Sequence, residues 1–181
     1  HQQADEQIYG YSCGFDEDYK NAVIGWFQRR FAWTIQPDAI FFAPGVVPAV
    51  SYLLEILSEE GDGIVIQTPV YYPFKAKIEA RNRKVVENPL QYENGRYTMD
   101  FRDLEKQLSR EDVKGMILCS PHNPVGRVWT KEELCQVADI AARYDKWIIS
   151  DEIHCDIVRQ NHQHLPLHVL APACQDQIIV C

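Results

Sequence analysis

The sequence predicts an α/β fold: a mostly parallel sheet with helices on both faces. Short, near-continuous apolar runs at 63–67, 113–120, 147–150 and 178–180 read as buried strands. Helical patterns of 10–15 residues separate them, as βαβ crossovers require. The composition agrees. Of 181 residues, 46% are hydrophobic and 24% charged, which suits a packed globular domain rather than a disordered chain.

The elements follow in order. Residues 15–33 predict a helix, with Tyr19, Val23, Trp26 and Phe27 on one face and Lys20, Gln28 and Arg29 on the other. Ile40 to Ala43 is a short apolar run stopped by Pro44-Gly45. Residues 46–59 predict a helix through Val50, Leu53, Leu54 and Leu57, ending at Gly61. A buried strand at 63–67 stops at Thr68-Pro69, residues 71–81 are helical, and Lys84 to Glu87 is a second strand. Residues 91–98 form a loop or small hairpin around Asn94-Gly95. Asp100 caps a helix running to about residue 110. The strand at 113–120 breaks at Pro121. Thr130 and Glu133 form a capping box for a helix over 131–144 that turns Leu134, Val137, Ala138 and Ala141 inward. The 147–150 strand ends in Asp151-Glu152, residues 159–168 form a polar loop, and Ile178 to Val180 is the last strand. No linker, repeat or low-complexity segment interrupts this order.

Charge and cysteine content exclude several classes. Lys and Arg number 18 against 26 Asp and Glu, a formal charge of −8, which argues against a nucleic-acid binder. No apolar run approaches the roughly 18 residues of a membrane helix, and no secretory signal is visible. The six cysteines show neither C-x-x-C nor zinc-finger spacing, so reduced thiols in a cytoplasmic setting are expected. His162, His164 and His168 lie in the polar loop without carboxylate or cysteine spacing to complete a metal site, and are expected to be solvated.

In open parallel sheets, ligands bind beyond the carboxyl ends of the strands. The residues at those ends are Pro44 to Val47, Thr68 to Tyr72, Ser120 to Gly126 and Asp151 to His154. They supply a helix N-terminus suited to an anion, an aromatic, an amide and a carboxylate. Taken singly, each also has a plain structural role: a turn, a packing ring, a turn amide or a cap. Arg127 is expected to pair with a nearby carboxylate.

Together these segments resemble a known family. Ser-Pro-His-Asn-Pro-Val-Gly-Arg at 120–127, followed by Ser-Asp-Glu-Ile-His at 150–154, is similar to the large domain of fold-type I pyridoxal-phosphate enzymes, the aspartate-aminotransferase-like proteins. Pro-Gly-Val-Val-Pro-Ala, Thr-Pro-Val-Tyr and Asp-Glu-Ile-His-Cys-Asp resemble the cystathionine β-lyase or C–S lyase branch, the MalY/PatB-like group. The resemblance runs from about Tyr9 to Cys181.

It implies pyridoxal 5'-phosphate as cofactor. Asp151 would pair with the ring nitrogen, Asn123 with the phenolic oxygen, and Tyr71 would stack on the ring. The N–H groups of Gly45, Val46 and Val47 would hold the phosphate. His154 stands where aminotransferases commonly place a tyrosine that shares the phenolic contact. Tyr11 matches a tyrosine that reaches the neighbouring subunit's site in a homodimer; a buried aromatic is the alternative. The implied activity is C–S β-lysis of cystathionine or cysteine conjugates, small-molecule amino acids, to a thiol, pyruvate and ammonia. An aminotransferase of the same fold, or a non-catalytic module, are the alternatives. No lysine sits after the 178–180 strand, where the family's Schiff-base lysine lies. The expectation is therefore that residues 1–181 are part of a cofactor domain, without the lysine loop and small C-terminal domain, from a parent about twice as long that also extends before His1.

Overall fold

The computed structural model describes residues 5–7, 9 and 17–181. Tyr11, Cys13 and Phe15 lie outside the described residues. The chain divides into two compact units, residues 1–42 and 43–181, where the sequence showed no linker. The boundary falls in a stretch with no helix longer than three residues between 32 and 45.

In the first unit, α1 spans Glu17–Phe31, with acidic residues in its first turn and Arg29 and Arg30 in its last, as the helix dipole favours. Phe27 packs edge-on to Trp33 at 5.4 Å and against Phe31 at 5.7 Å. Arg30 stacks over Trp26 at 5.5 Å. The expected apolar face is only partly covered, since Tyr19 and Trp26 remain exposed.

The second unit holds a five-stranded parallel sheet. Its strands are β1 (Gly63–Ile66), β2 (Lys84–Glu87), β5 (Val113–Cys119), β6 (Trp147–Asp151) and β7 (Ile178–Val180), in the order β2-β1-β5-β6-β7. β3 (Gln91–Glu93) and β4 (Arg96–Thr98) form a separate antiparallel hairpin. Asn94 and Gly95 at its tip both adopt positive φ, which explains the Asn-Gly pair there. The helices are α2 (Val46–Leu57), α3 (Pro73–Glu79), α4 (Phe101–Leu108), α5 (Lys131–Arg143) and the single turn α6 (Leu167–Leu170).

The strands look uniformly apolar, yet successive side chains serve different layers. Ile64, Ile66, Ile117, Cys119 and Ile149 join Val50 and Leu54 of α2 and Phe74 and Ile78 of α3 in one cluster. Val65, Met116, Leu118 and Ile148 join Leu104 of α4, Leu134 and Val137 of α5 and Leu167 of α6 in the other. Covering both faces removes the alternating polar residues of a half-exposed sheet.

The predicted caps are present. Asp100 Oδ1 accepts from the Asp103 N–H at 2.9 Å. Thr130 and Glu133 form the reciprocal capping box. The end of α2 is tied to the sheet by Trp147, whose indole N–H donates to the Leu57 carbonyl at 2.9 Å.

Gly115 stands directly opposite Trp147 in the β5–β6 register. A Cβ at Gly115 would overlap the Trp147 ring and its carbonyl oxygen. Gly115→Ala is therefore expected to destabilise the protein by roughly 1–3 kcal/mol or more, read as a lower urea midpoint. An unchanged midpoint would show that the indole moves aside freely.

Candidate cofactor site at the carboxyl edge of the sheet

The parallel register fixes one row of side chains. Cys119 pairs with Asp151, and Ser150 pairs with Val180, which sets Cys181 beside Asp151 on the other flank. In-register residues of adjacent parallel strands point to the same face, so the Asp151 carboxylate lies between two thiols. Asp151 shares strand parity with Ile149, so it belongs to the face covered by α2 and α3.

The carboxylate is 4% exposed, and Oδ1 accepts from the Ile153 N–H at 3.2 Å. Burial pushes it above the usual aspartate range; the Ile153 N–H and nearby His154 oppose this, while the charge of Glu152 adds to it. Burial also pushes the Cys119 thiol up to about 12 and the Cys181 thiol up to about 11, and the Asp151 charge adds to both. Both thiols are thus neutral beside it, and Cys119, Cys155 and Cys174 are buried as free thiols.

Asn123 is half-buried on the loop after β5, where its backbone N–H donates to Cys119 Sγ at 3.3 Å. Cys119 therefore links the Asn123 turn to the Asp151 position. Tyr71, half-buried after β1, packs edge-on to Phe74 at 5.7 Å and rests on the cluster that contains Cys119 and Ile149. Val46, in the first turn of α2, rests on the same cluster. Gly45 caps α2 without a side-chain hydrogen bond, leaving first-turn N–H groups for another acceptor. Its φ of 121° is one that residues with a Cβ rarely adopt. Val46, Tyr71, Cys119 and Asp151 thus share one face, and Asn123 is tied to it through Cys119. Tyr11 is outside the described residues.

Two buried residues brace the Asn123 loop. His122 Nε2 lies 3.3 Å from the Gln67 carbonyl, which marks Nε2–H as the donor, and its ring packs edge-on to Trp129 at 5.5 Å. Burial pushes His122 down to about 4. Arg127 donates from one Nη to both Glu133 carboxylate oxygens at 2.7 and 2.8 Å, from the other to the Tyr97 carbonyl, and stacks over Trp129 at 4.6 Å. The expected carboxylate partner of Arg127 is thus the same Glu133 that completes the capping box.

The fold recurs in known proteins. The model for aminotransferase class I and II matches residues 2–181. The chain belongs to that family. Among its relatives, cystathionine beta-lyase PatB of Bacillus subtilis is 40% identical over 177 residues, covering 98% of this chain and 46% of the relative. Protein MalY of Escherichia coli is 36% identical over 159 residues, covering 88% and 41%. The crystal structure of cystalysin from Treponema denticola, described as containing a pyridoxal 5'-phosphate cofactor, superposes with a TM-score of 0.95 at 41% identity, covering 99% of this chain and 45% of that one. The chain spans less than half the length of these relatives.

One expectation is corrected. The histidines of the 159–168 loop are not uniformly solvated. His162 is exposed, but His164 is 2% exposed, with Nε2 2.7 Å from Glu152 Oε2. Loop polarity gave no hint of this, because the partner lies 12 residues earlier, beyond any helical or strand period. The two thiols beside Asp151 were also missed as site neighbours. Their position at equivalent strand ends was the available signal.

Two pH effects follow. His122 stays neutral in the folded chain down to about 4, whereas an unfolded histidine protonates near 6.5. Stability is therefore lost as pH falls from 6.5 to 4, by at most about 3 kcal/mol, and His122→Gln should flatten that slope in denaturant titrations. The raised Asp151 carboxyl has the opposite sign: the folded chain binds its proton more tightly. Stability falls as pH rises above the ordinary aspartate value, and the cost persists at neutral pH. Asp151→Asn should raise the melting temperature of the cofactor-free protein at pH 7. A fall would mean that the buried charge is compensated.

Proposed function

We propose that the protein containing this chain is a pyridoxal-phosphate-dependent C–S β-lyase that acts on cystathionine or a related cysteine conjugate. One observation carries the reading. A buried carboxylate between neutral thiols and an uncapped helix N-terminus lie on the same face of the sheet, at its carboxyl edge. The first calls for a cation and the second for an anion. Pyridoxal phosphate presents both, a protonated ring nitrogen and a phosphate. The names of the relatives, two of which are lyases or described with this cofactor, support the same choice.

In this reading Asp151 keeps the proton on the ring nitrogen, and its thiol neighbours offer no competing cation. Asn123 donates to the phenolic oxygen. Tyr71 lies against the ring and excludes water from that side. The Gly45, Val46 and Val47 N–H groups hold the phosphate, with the dipole of α2 behind them. His154, whose positive form acts on Asp151, takes the place of the tyrosine common in aminotransferases. When bound, the cofactor supplies the electron sink for the charge left at Cα after an amino acid loses its α-proton. Loss of the α-proton would allow the C–S bond at Cβ to break, the sulfur leaving as a thiol, and one water would hydrolyse the remaining three-carbon fragment to pyruvate and ammonia. A homodimer completed by Tyr11, and a cytoplasmic location, belong to the same proposal. Among the described residues no helix is long and apolar enough to cross a membrane.

The test is to assay the whole protein with cystathionine. Release of pyruvate and a free thiol is expected. Amino-group transfer to a keto acid without pyruvate would replace this reading with an aminotransferase. Asp151→Asn should weaken pyridoxal phosphate binding by at least about tenfold, roughly 1.4 kcal/mol, in an absorbance titration. Unchanged affinity would reject Asp151 as the ring-nitrogen partner.

A further inference from the structure

Glu152 follows Asp151 directly, and none of the chemistry above uses it. The residue is buried, at 3% exposure, and its carboxylate carries three contacts. Oε1 accepts from Ser150 Oγ at 2.9 Å and from the Leu167 N–H at 3.0 Å, and Oε2 meets His164 Nε2 at 2.7 Å. Its backbone N–H donates to the Cys181 carbonyl at 2.8 Å, and the Cys181 N–H donates to the Ser150 carbonyl at 2.9 Å. One residue therefore joins the end of β6, the end of β7, the start of α6 and the 159–168 loop.

We propose that Glu152 and His164 form a buried, charge-balanced clamp that positions Asp151. It holds the β6 and β7 ends in register and cancels the negative charge that would otherwise stand beside the Asp151 carboxylate.

Two adjacent buried carboxylates cannot both ionise cheaply. At 2.7 Å the His164 ring meets the Glu152 carboxyl directly, and with a proton on Nδ1 as well as one in this contact the pair has no net charge. Asp151 then stands beside a pair without net charge. The other groups that face this cluster are Cys119 from β5, Cys181 beyond β7, and His154, Cys155 and the exposed Asp156, which acts on Cys155, from the loop after β6. His168 of α6 feels Glu152 and Asp176. Neither cysteine beside Asp151 is a cation, and His164 is the ring in direct contact with Glu152. Both clamp residues act through Asp151 and are positioning residues.

The inference rests on the proposed function only for what Asp151 holds; the charge balance is testable without cofactor. The whole, cofactor-free protein is labelled with ¹³C at the Asp and Glu carboxyl carbons and titrated by NMR, with Asp151→Asn assigning the Asp151 signal. In His164→Gln the later of the Asp151 and Glu152 titrations is expected to move up by about one pH unit. In Glu152→Gln the Asp151 midpoint is expected to move down. A merely structural clamp would lower the melting temperature of both variants and leave the Asp151 midpoint in place; that result, or movement in the same direction in both, overturns the inference. If His164→Gln does not fold, Glu152→Gln alone decides, and an unmoved or raised midpoint rejects the clamp. Opposite shifts in a protein without lyase activity would uphold the clamp and reject the proposed function.

Discussion

The in-register pairing of β5, β6 and β7 is the constraint on which the site depends. It sets Cys119, Asp151 and Cys181 in one row across three strands. A slip of one residue on β6 would turn Asp151 to the other face and put Ser150 in its place. Such a slip is costly, because Ile148 and Ile149 would also exchange the two cores they fill. Packing on both faces thus holds a carboxylate where an isolated strand would not keep it.

That carboxylate sits in surroundings that penalise its charge. The flanking thiols are neutral, and the Ile153 N–H is its hydrogen-bond donor. A buried charge without a full set of partners destabilises the empty protein and rewards a cationic ligand by the same physics. The pair of Glu152 and His164 next to it shows the other solution, a buried acid with its own hydrogen-bond partner. Two neighbouring carboxyls at the end of β6 therefore have different environments, one closed by the protein and one left open at the edge of the sheet.

The loop that carries Asn123 is held from both ends. Cys119 and Asn123 are joined by a backbone N–H to sulfur bond, and His122 is fixed to the β1 end at Gln67. Arg127 then ties the exit of the loop to the β4 carbonyl at Tyr97 and to Glu133 at the start of α5. A residue chosen for helix capping thereby also anchors the site loop. One Arg127 Nη meets both Glu133 oxygens and the other meets the Tyr97 carbonyl, and with both side chains largely buried this gives the pair a fixed geometry that a surface ion pair lacks.

How much of this was legible in the sequence depends on the range of each interaction. Strand and helix identity, the Asp100 and Thr130–Glu133 caps and the Asn94-Gly95 hairpin are set within a few residues, and all could be read directly. Asn123 and Asp151 follow strands, and strand ends in a parallel sheet meet on one edge whatever the crossovers between them; Gly45 does not, because the apolar run at 40–43 forms no strand. His164 was misread, the thiols beside Asp151 were missed, and the division of the chain after Phe42 was not foreseen. The sequence by itself determined the order of elements and the chemistry available at each strand end, because propensity, capping and hydrophobic period act locally. Only the tertiary structure decided which groups are neighbours and which lose their water. The His164–Glu152 contact and the row of Cys119, Asp151 and Cys181 come from strand register and loop closure, and desolvation then sets the charge of each group.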